Sequence, residues 1–219
     1  MTIESKTVLK RILLASGNPK KLREFRALLA PSGIEIVDPS EVGGLADVVE
    51  DLPTFAGNAQ KKARAAAANA GMVALADDSG LEVDALDGAP GVRSARFAGE
   101  PCDDERNNEK LLEELKGVAS DNRGARFVCA LALVSPDGTV LAEVSGTVRG
   151  QILFERRGDR DFGYDPLFEF SEPGLAATGR SFAELSTDEK ASVSHRGRAV
   201  RQLATFFLEY STNDSAPHA

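Results

Sequence analysis

The chain has 219 residues, of which 42% are hydrophobic and 27% charged, and its formal net charge is −8. This composition is typical of a soluble globular protein with a sizeable core, and we expect a single domain over residues 1–219, with a core at 11–210 and flexible ends at 1–10 and 211–219. The negative charge argues against sequence-independent duplex binding, and the absence of a long apolar run argues against a membrane span. Two cysteines do not make a disulfide framework, so a cytoplasmic location is expected.

The first part of the chain alternates strand and helix patterns. The sequence predicts strands at residues 12–15, 34–37 and 72–76. Asn18 is an expected N-cap, with Pro19 at the first helical position. Thr54 is expected to cap a second helix over residues 55–70, which Gly71 would end.

The second part adds an extended segment at 81–86, a helix at 103–116 and two long strands at 125–134 and 139–148, joined by a turn with Pro136 at its second position. Ser186 opens a capping box, and a break near Ser194 precedes the last helix. Together these elements predict an α/β fold with a mixed sheet flanked by helices.

Two adjacent carboxylates, Asp77 and Asp78, follow the apolar run at 72–76 and precede an expected turn at Ser79 and Gly80. Buried acids need a positive partner, and Mg²⁺ takes carboxylate and phosphate oxygens together. Because side chains alternate along a strand, we expect Asp78 to touch metal or water, with Asp77 as a second ligand or as a support for the first. The alternative is a turn in which water solvates both acids.

A strand-to-helix turn precedes this strand in the chain, and its residues are Ser16, Gly17, Asn18, Pro19, Lys20 and Lys21. Backbone N–H groups at a helix start bind anions, Gly17 lets a ligand approach closely, and Lys21 has the length to reach a phosphate. The glycine spacing of a Walker loop is missing. The alternative is an ordinary capped helix with solvated lysines.

Three further segments are candidates for the same site. The acids Asp47, Glu50 and Asp51 offer one more metal ligand, or else form a solvated loop. The aromatic side chains of the segment at 161–168 could stack against a nucleotide base. The alternative is that they pack against the protein at a turn. Lys190, His195 and Arg196 carry donors for a purine carbonyl, or else they lie on the surface at a helix start.

In combination these segments closely resemble the Ham1/inosine triphosphatase family, the non-canonical purine nucleoside triphosphate pyrophosphatases. The resemblance runs in family order from Ile12 to Tyr210, and its motifs lie at residues 16–24, 54–64, 76–83, 88–96, 162–166, 183–185 and 189–197. The chain departs from the family at Ala56 and Gly57, which precede Asn58 where an acidic residue is usual, and at Arg93 and Phe97, where Tyr is common.

The resemblance implies a long mixed sheet with two lobes and a cleft between them that holds the site, a homodimer, Mg²⁺ dependence, and hydrolysis of ITP, dITP or XTP to the monophosphate and pyrophosphate. It implies that Asp78 is the catalytic carboxylate and a metal ligand, that Glu50 is the upstream ligand, and that Ser16 to Lys21 hold the phosphates. It also implies a set of nucleotide contacts: Ser79, Phe162, Gly163, Tyr164, Asp165, Lys190, His195 and Arg196.

Two other functions stay open at this point. A related Maf-like nucleotide pyrophosphatase would act on canonical or modified pyrimidine and guanine nucleotides, and the segment from Ser194 to Gly197 argues against it. A non-catalytic module would bind ITP without releasing pyrophosphate, and the missing acid near Gly57 is its only support.

Overall fold

A computed structural model of the chain describes residues 9–159 and 162–213, with side chains described to residue 210. The predicted flexible ends therefore lie largely outside the described residues. Residues 9 and 10 form a turn, and the last helix runs on to Asn213.

Six strands form one sheet in the order β2-β1-β3-β4-β5-β6. The strands are β1 Arg11–Leu14, β2 Glu35–Val37, β3 Ala74–Val83, β4 Gly124–Val134, β5 Val140–Ile152 and β6 Phe168–Phe170. β1 pairs in parallel with β2, where Ile12 faces Ile36, and with β3, where Leu13 faces Ala74. β5 and β6 are antiparallel, so the prediction of a mixed α/β sheet is confirmed.

Five α-helices are found in the described ranges: α1 Pro19–Leu29, α2 Phe55–Ala70, α3 Asp104–Glu114, α4 Thr187–Val193 and α5 His195–Asn213. Asn18, Thr54 and Ser186 cap α1, α2 and α4 as predicted, each with its side-chain oxygen accepting a backbone N–H. Ser194 is extended, with φ −69° and ψ 157°. The predicted break between the last two helices is therefore confirmed.

The prediction of a turn at Ser79 and Gly80 is wrong, because β3 continues without interruption from Ala74 to Val83. β1 pairs with the start of this strand, at Ala74 and Leu75, and β4 is its neighbour on the other side. Pairing within the sheet satisfies backbone groups that a local turn would otherwise have to satisfy. Residues 84–86 then form a 3₁₀ turn instead of continuing the extended segment.

The chain divides into two compact units, and β3, β4 and β5 each have residues in both. Unit 1 contains residues 1–78, 130–145 and 199–219, and unit 2 contains residues 79–129 and 146–198. The core of unit 2 contains an aromatic cluster in which Phe168 contacts Phe127 and Phe182, with ring centroids 4.6 and 4.9 Å apart. Within the described part of the chain, no helix is both long enough and apolar enough to cross a membrane.

Candidate active site

In the strand-to-helix turn at residues 16–21, the side chains of Ser16 and Asn18 accept hydrogen bonds from backbone N–H groups of the same turn. Asn18 Oδ1 accepts hydrogen bonds from the backbone N–H of Lys20 at 2.9 Å and of Lys21 at 3.3 Å. Ser16 Oγ accepts from the N–H of Asn18 at 3.3 Å. A Cβ at Gly17 would meet nothing within 4 Å. Phosphate contacts at this turn would therefore depend on the backbone near Gly17 and on the lysine side chains.

Asp77 is tied to this turn by an ion pair. Lys21 Nζ lies 2.9 Å from Asp77 Oδ2 and 3.1 Å from Oδ1, so both carboxylate oxygens contact the ammonium. The Asp77 side chain is completely buried, whereas that of Lys21 keeps 20% of its surface exposed. The pair joins the start of α1 to the middle of β3, and it places the positive charge of Lys21 beside the turn.

Asp78, the next residue along β3, has a different set of partners. Asn58 Nδ2 donates to Asp78 Oδ2 at 3.1 Å, and Lys62 Nζ lies 3.4 Å from Oδ1. The same Lys62 Nζ lies 3.1 Å from Glu50 Oε2, and Glu50 and Asp78 are hydrogen-bonded to each other. The structure thus gathers Asp78 and Glu50 around one ammonium group, while Asp77 contacts another.

Burial raises the pKa of Asp78 to about 6, with Lys62 opposing the rise and Glu50 adding to it. Burial disfavours the charged form of Glu50, but the charge and hydrogen bond of Lys62, the hydrogen bond with Asp78 and the charge of Lys21 together hold its pKa below the ordinary value. The Asp78 side chain is 8% exposed and that of Glu50 30%. The two neighbouring carboxyl groups therefore have pKa values displaced in opposite directions, upward for the more deeply buried Asp78 and downward for Glu50.

Asn58 and Lys62 are site residues that the sequence interpretation missed. They lie four positions apart on α2 and hence on one face of that helix. Their apolar neighbours on this face include Phe55, Ala59 and Ala66, and Asn58 itself is fully buried. Two polar residues at helical spacing beside these apolar positions were the signal, because a buried Asn and a half-buried Lys need polar partners.

The carboxylates of Glu50 and Asp78 suit a hard cation such as Mg²⁺, which one or two protein carboxylates commonly bind together with substrate phosphates and water. A cationic group, the ammonium of Lys62, already lies within 3.4 Å of both. In the ranges that the structure describes, no three His, Cys, Asp or Glu side chains converge in a metal-binding group. The donor set therefore fits a metal that takes its other ligands from substrate and solvent. The assignment of Asp77 as a ligand stays a prediction.

Asp47 and Asp51, the other two acids of the cluster that contains Glu50, have exposed side chains. Asp51 pairs with Lys61 at 2.6 Å, and both side chains are exposed. Asp47 is also exposed. Glu50 is therefore the one member of that cluster whose side chain contacts Asp78 in the described structure.

The loop at 162–165, which lies in unit 2, contacts α4 through Lys190. Lys190 donates to Asp165, which is only 4% exposed, and its Nζ lies 5.3 Å from the centroid of the Phe162 ring. Tyr164 is buried and donates its hydroxyl to the backbone oxygen of Ser94 at 2.9 Å. The described part of this loop brings together Phe162, Gly163, Tyr164, Asp165 and Lys190. Asp161 lies outside the described residues.

His195 and Arg196 begin α5 and are buried, at 5% and 2% exposure. The His195 ring stacks on Phe127 with centroids 4.7 Å apart, and the Arg196 guanidinium lies 5.9 Å from the Phe162 centroid. Phe162 is therefore near two cationic side chains, because the break at Ser194 lets both α4 and α5 reach it. Ser79 is half-buried on β3 at the start of unit 2.

Comparisons with known proteins agree with this fold and residue pattern. The model of the Ham1 family matches residues 12–206. A protein of Desulforamulus reducens named dITP/XTP pyrophosphatase is 50% identical over 192 residues, covering 88% of this chain and 92% of that protein. A Rhodopirellula baltica protein of the same name is 50% identical over 204 residues, covering 93% and 96%. The structure of a HAM1 protein from Coxiella burnetii has a TM-score of 0.80 at 40% identity, covering 91% of this chain and 98% of that one.

The chain belongs to the Ham1 family. The extent and identity of these matches confirm the resemblance found in the sequence. They also confirm that the chain is an enzyme, a nucleotide pyrophosphatase.

Proposed function

We propose that this enzyme hydrolyses the non-canonical purine nucleotides ITP, dITP and XTP to the monophosphate and pyrophosphate in a Mg²⁺-dependent reaction, and so cleanses the nucleotide pool. The observation that carries the proposal is the buried Asp78 carboxyl group, held by Asn58 and Lys62 beside Glu50. The names of the relatives support the substrate class.

In this reaction Asp78 removes a proton from a water molecule as the water oxygen forms a bond to phosphorus. The phosphorus–oxygen bond to the pyrophosphate group breaks, and pyrophosphate leaves. A pKa of about 6 suits this role, because a general base is most effective when its pKa lies near the working pH. Asp77 is a weaker candidate for the base, because both of its oxygens contact Lys21.

Glu50 and Asp78 would hold the Mg²⁺, which when bound neutralises phosphate charge and polarises the phosphorus–oxygen bonds. Lys21 and Lys62 add positive charge beside the two carboxyl groups of β3. Preorganised positive groups stabilise the charge that develops on a leaving group, so these lysines would favour departure of pyrophosphate.

Base selection would depend on donors in unit 2. A 6-keto purine presents an acceptor where adenine presents an amino donor, and the side chains of Arg196 and His195 offer donors. A donor facing the adenine amino group would leave two buried donors unmatched, which costs about 1–3 kcal/mol for each group. This mismatch would reject ATP.

Product analysis tests the proposal. The protein is incubated with Mg²⁺ and ITP, XTP, GTP, ATP or dTTP, and pyrophosphate and orthophosphate are assayed separately. Pyrophosphate with IMP and XMP, and little product from ATP, is expected. Orthophosphate would place the attack at a different phosphorus. ITP binding without any product would indicate a binding module, with the altered residues near Gly57 as the first suspects.

We also propose, from the family resemblance, that the enzyme is a cytoplasmic homodimer. The two cysteines, Cys102 and Cys129, form no disulfide in the described residues, and reduced cysteines are usual in a reducing compartment. Light scattering coupled to gel filtration tests the dimer. A mass near the 23.2 kDa of one chain would contradict it.

A further inference from the structure

Both backbone polar groups of Gly163, in unit 2, are hydrogen-bonded to side chains of α3. The N–H of Gly163 donates to Asp104 Oδ2 at 2.9 Å. Its carbonyl oxygen accepts from Asn108 Nδ2, also at 2.9 Å. Asp104 and Asn108 are four residues apart, so they lie on one face of the helix.

The orientation of the Asn108 amide is determined by its surroundings. Asn108 is 1% exposed, and its Nδ2 donates to the backbone oxygen of Asp104 at 2.8 Å as well as to Gly163. A flipped amide would place Oδ1 against two carbonyl oxygens, which repel it. The buried side chain therefore has one favourable arrangement, and in that arrangement both of its hydrogen atoms are used.

Gly163 needs such a support. Its φ of +56° lies in the left-handed region, and the loop around it carries Phe162 and Asp165, which contact Lys190. Glycine has the greatest backbone freedom of any residue. Hydrogen bonds to its N–H and to its carbonyl oxygen fix the two peptide groups that flank it, which removes much of that freedom before any ligand arrives.

We propose that Asn108, together with Asp104, is a positioning residue that holds the Gly163 peptide and thereby preorganises the loop at 162–165 for the purine base. This inference rests on the proposed function, which assigns that loop to the nucleotide. Asn108 acts through Gly163. Its effect is on nucleotide affinity and base selection, because a preformed loop lowers the ordering cost of binding.

The chain offers a matched control in the next residue. Asn107 is also buried, at 2% exposure, and also bonds a loop through both ends of its amide. Its Oδ1 accepts from the N–H of Ala98 at 2.7 Å, and its Nδ2 donates to the oxygen of Ala95 at 2.9 Å. Asn107→Leu thus removes the same kind of side chain from the same helix without touching Gly163.

The test compares Asn108→Leu with Asn107→Leu in two measurements. The first is amide hydrogen exchange at Gly163 in the ligand-free protein, where we expect exchange about tenfold faster in Asn108→Leu alone. The second is steady-state kinetics with ITP and ATP. In Asn108→Leu we expect KM for ITP to rise about tenfold with kcat changed less than about twofold, and the preference for ITP over ATP to fall.

Equal exchange rates at Gly163 in the two variants would overturn the proposal, and so would an unchanged KM and ITP/ATP ratio in Asn108→Leu. If the wild-type enzyme released no pyrophosphate from ITP, the proposed function would fail, while the exchange measurement would still decide whether Asn108 holds the loop. If Asn108→Leu did not fold, Asp104→Ala would replace it in the exchange measurement. Asp104→Asn, which keeps an acceptor oxygen, is then expected to restore slow exchange.

Discussion

Asn58 Nδ2 donates a hydrogen bond of 3.1 Å to Asp78 Oδ2, joining the first turn of α2 to β3. The same side chain bonds the backbone of Leu52 twice, accepting from its N–H at 3.0 Å and donating to its oxygen at 3.3 Å. One amide therefore connects the catalytic carboxyl group to the segment that follows Glu50. Removal of this side chain should alter both the acidity of Asp78 and the placement of that segment.

Asn58→Ala should raise the pKa of Asp78 above about 6, because the hydrogen bond from Asn58 favours the charged carboxylate. Carboxyl ¹³C chemical shifts of the metal-free protein, followed against pH, measure this value. Asn107→Ala, on α3, serves as the control and should leave it unchanged. A lower pKa in Asn58→Ala would contradict the assignment of this bond.

The two charged neighbours of Asp78 should move its pKa in opposite directions. Glu50→Gln removes a negative charge that raises the pKa, so the pKa should fall, whereas Lys62→Met removes a positive charge that lowers it, so the pKa should rise. Since the base must be deprotonated, kcat/KM of the wild type should increase with pH, with a midpoint below the value of about 6 of the metal-free carboxyl group, because bound Mg²⁺ favours the carboxylate. A shift in the same direction in both variants would refute this arrangement.

Lys21→Met should destabilise the fold even without nucleotide. It removes the cation that contacts both oxygens of the buried Asp77, and breaking a buried ion pair in this way costs about 3 kcal/mol. Urea unfolding measures the loss, and Lys20→Met, at an exposed position, should cost less than about 0.5 kcal/mol. Adding Asp77→Asn to Lys21→Met should recover much of the stability. Equal stability of the two lysine variants would show that Lys21 has no structural role.

Arg196→Ala should weaken selection for ITP over ATP by about tenfold, while the Mg²⁺ concentration needed for half-maximal rate changes little. Arg196 belongs to unit 2, whereas Asp78 and Glu50 belong to unit 1. The matched control is Arg198→Ala, whose side chain pairs with Glu172 at 2.6 Å. An unchanged ITP/ATP ratio in Arg196→Ala would count against donor matching as the basis of selection.

The elements that the sequence predicted best are those determined by local chemistry. Helix α2 begins and ends where expected, because Thr54 accepts the Gly57 N–H at its start and Gly71 adopts φ +63° at its end. The break near Ser194 was predicted on the condition that Lys190 and His195 converge on one site, because residues five positions apart cannot share one helical face. Both inferences use residues within a few positions of each other.

The parts that the sequence missed depend on distant residues. Ser79 and Gly80 carry a strong local turn signal, but β3 runs on through them as part of the sheet. Asp78 receives its hydrogen bond from Asn58, which is 20 positions away, and the family resemblance indicated Glu50 without revealing the lysine that both acids share. Only the packing of α2 against β3 brings these groups together.

The most direct test of the account is pyrophosphate release from ITP by Asp78→Asn, measured at saturating Mg²⁺ beside the wild type and Asp84→Asn. Asp84 directly follows β3, but it is half exposed and pairs with Arg149. We expect Asp78→Asn to keep its fold and to lose at least about a hundredfold in kcat, while Asp84→Asn stays within about twofold of the wild type. Turnover by Asp78→Asn at the wild-type rate would show that this carboxyl group does not carry the reaction.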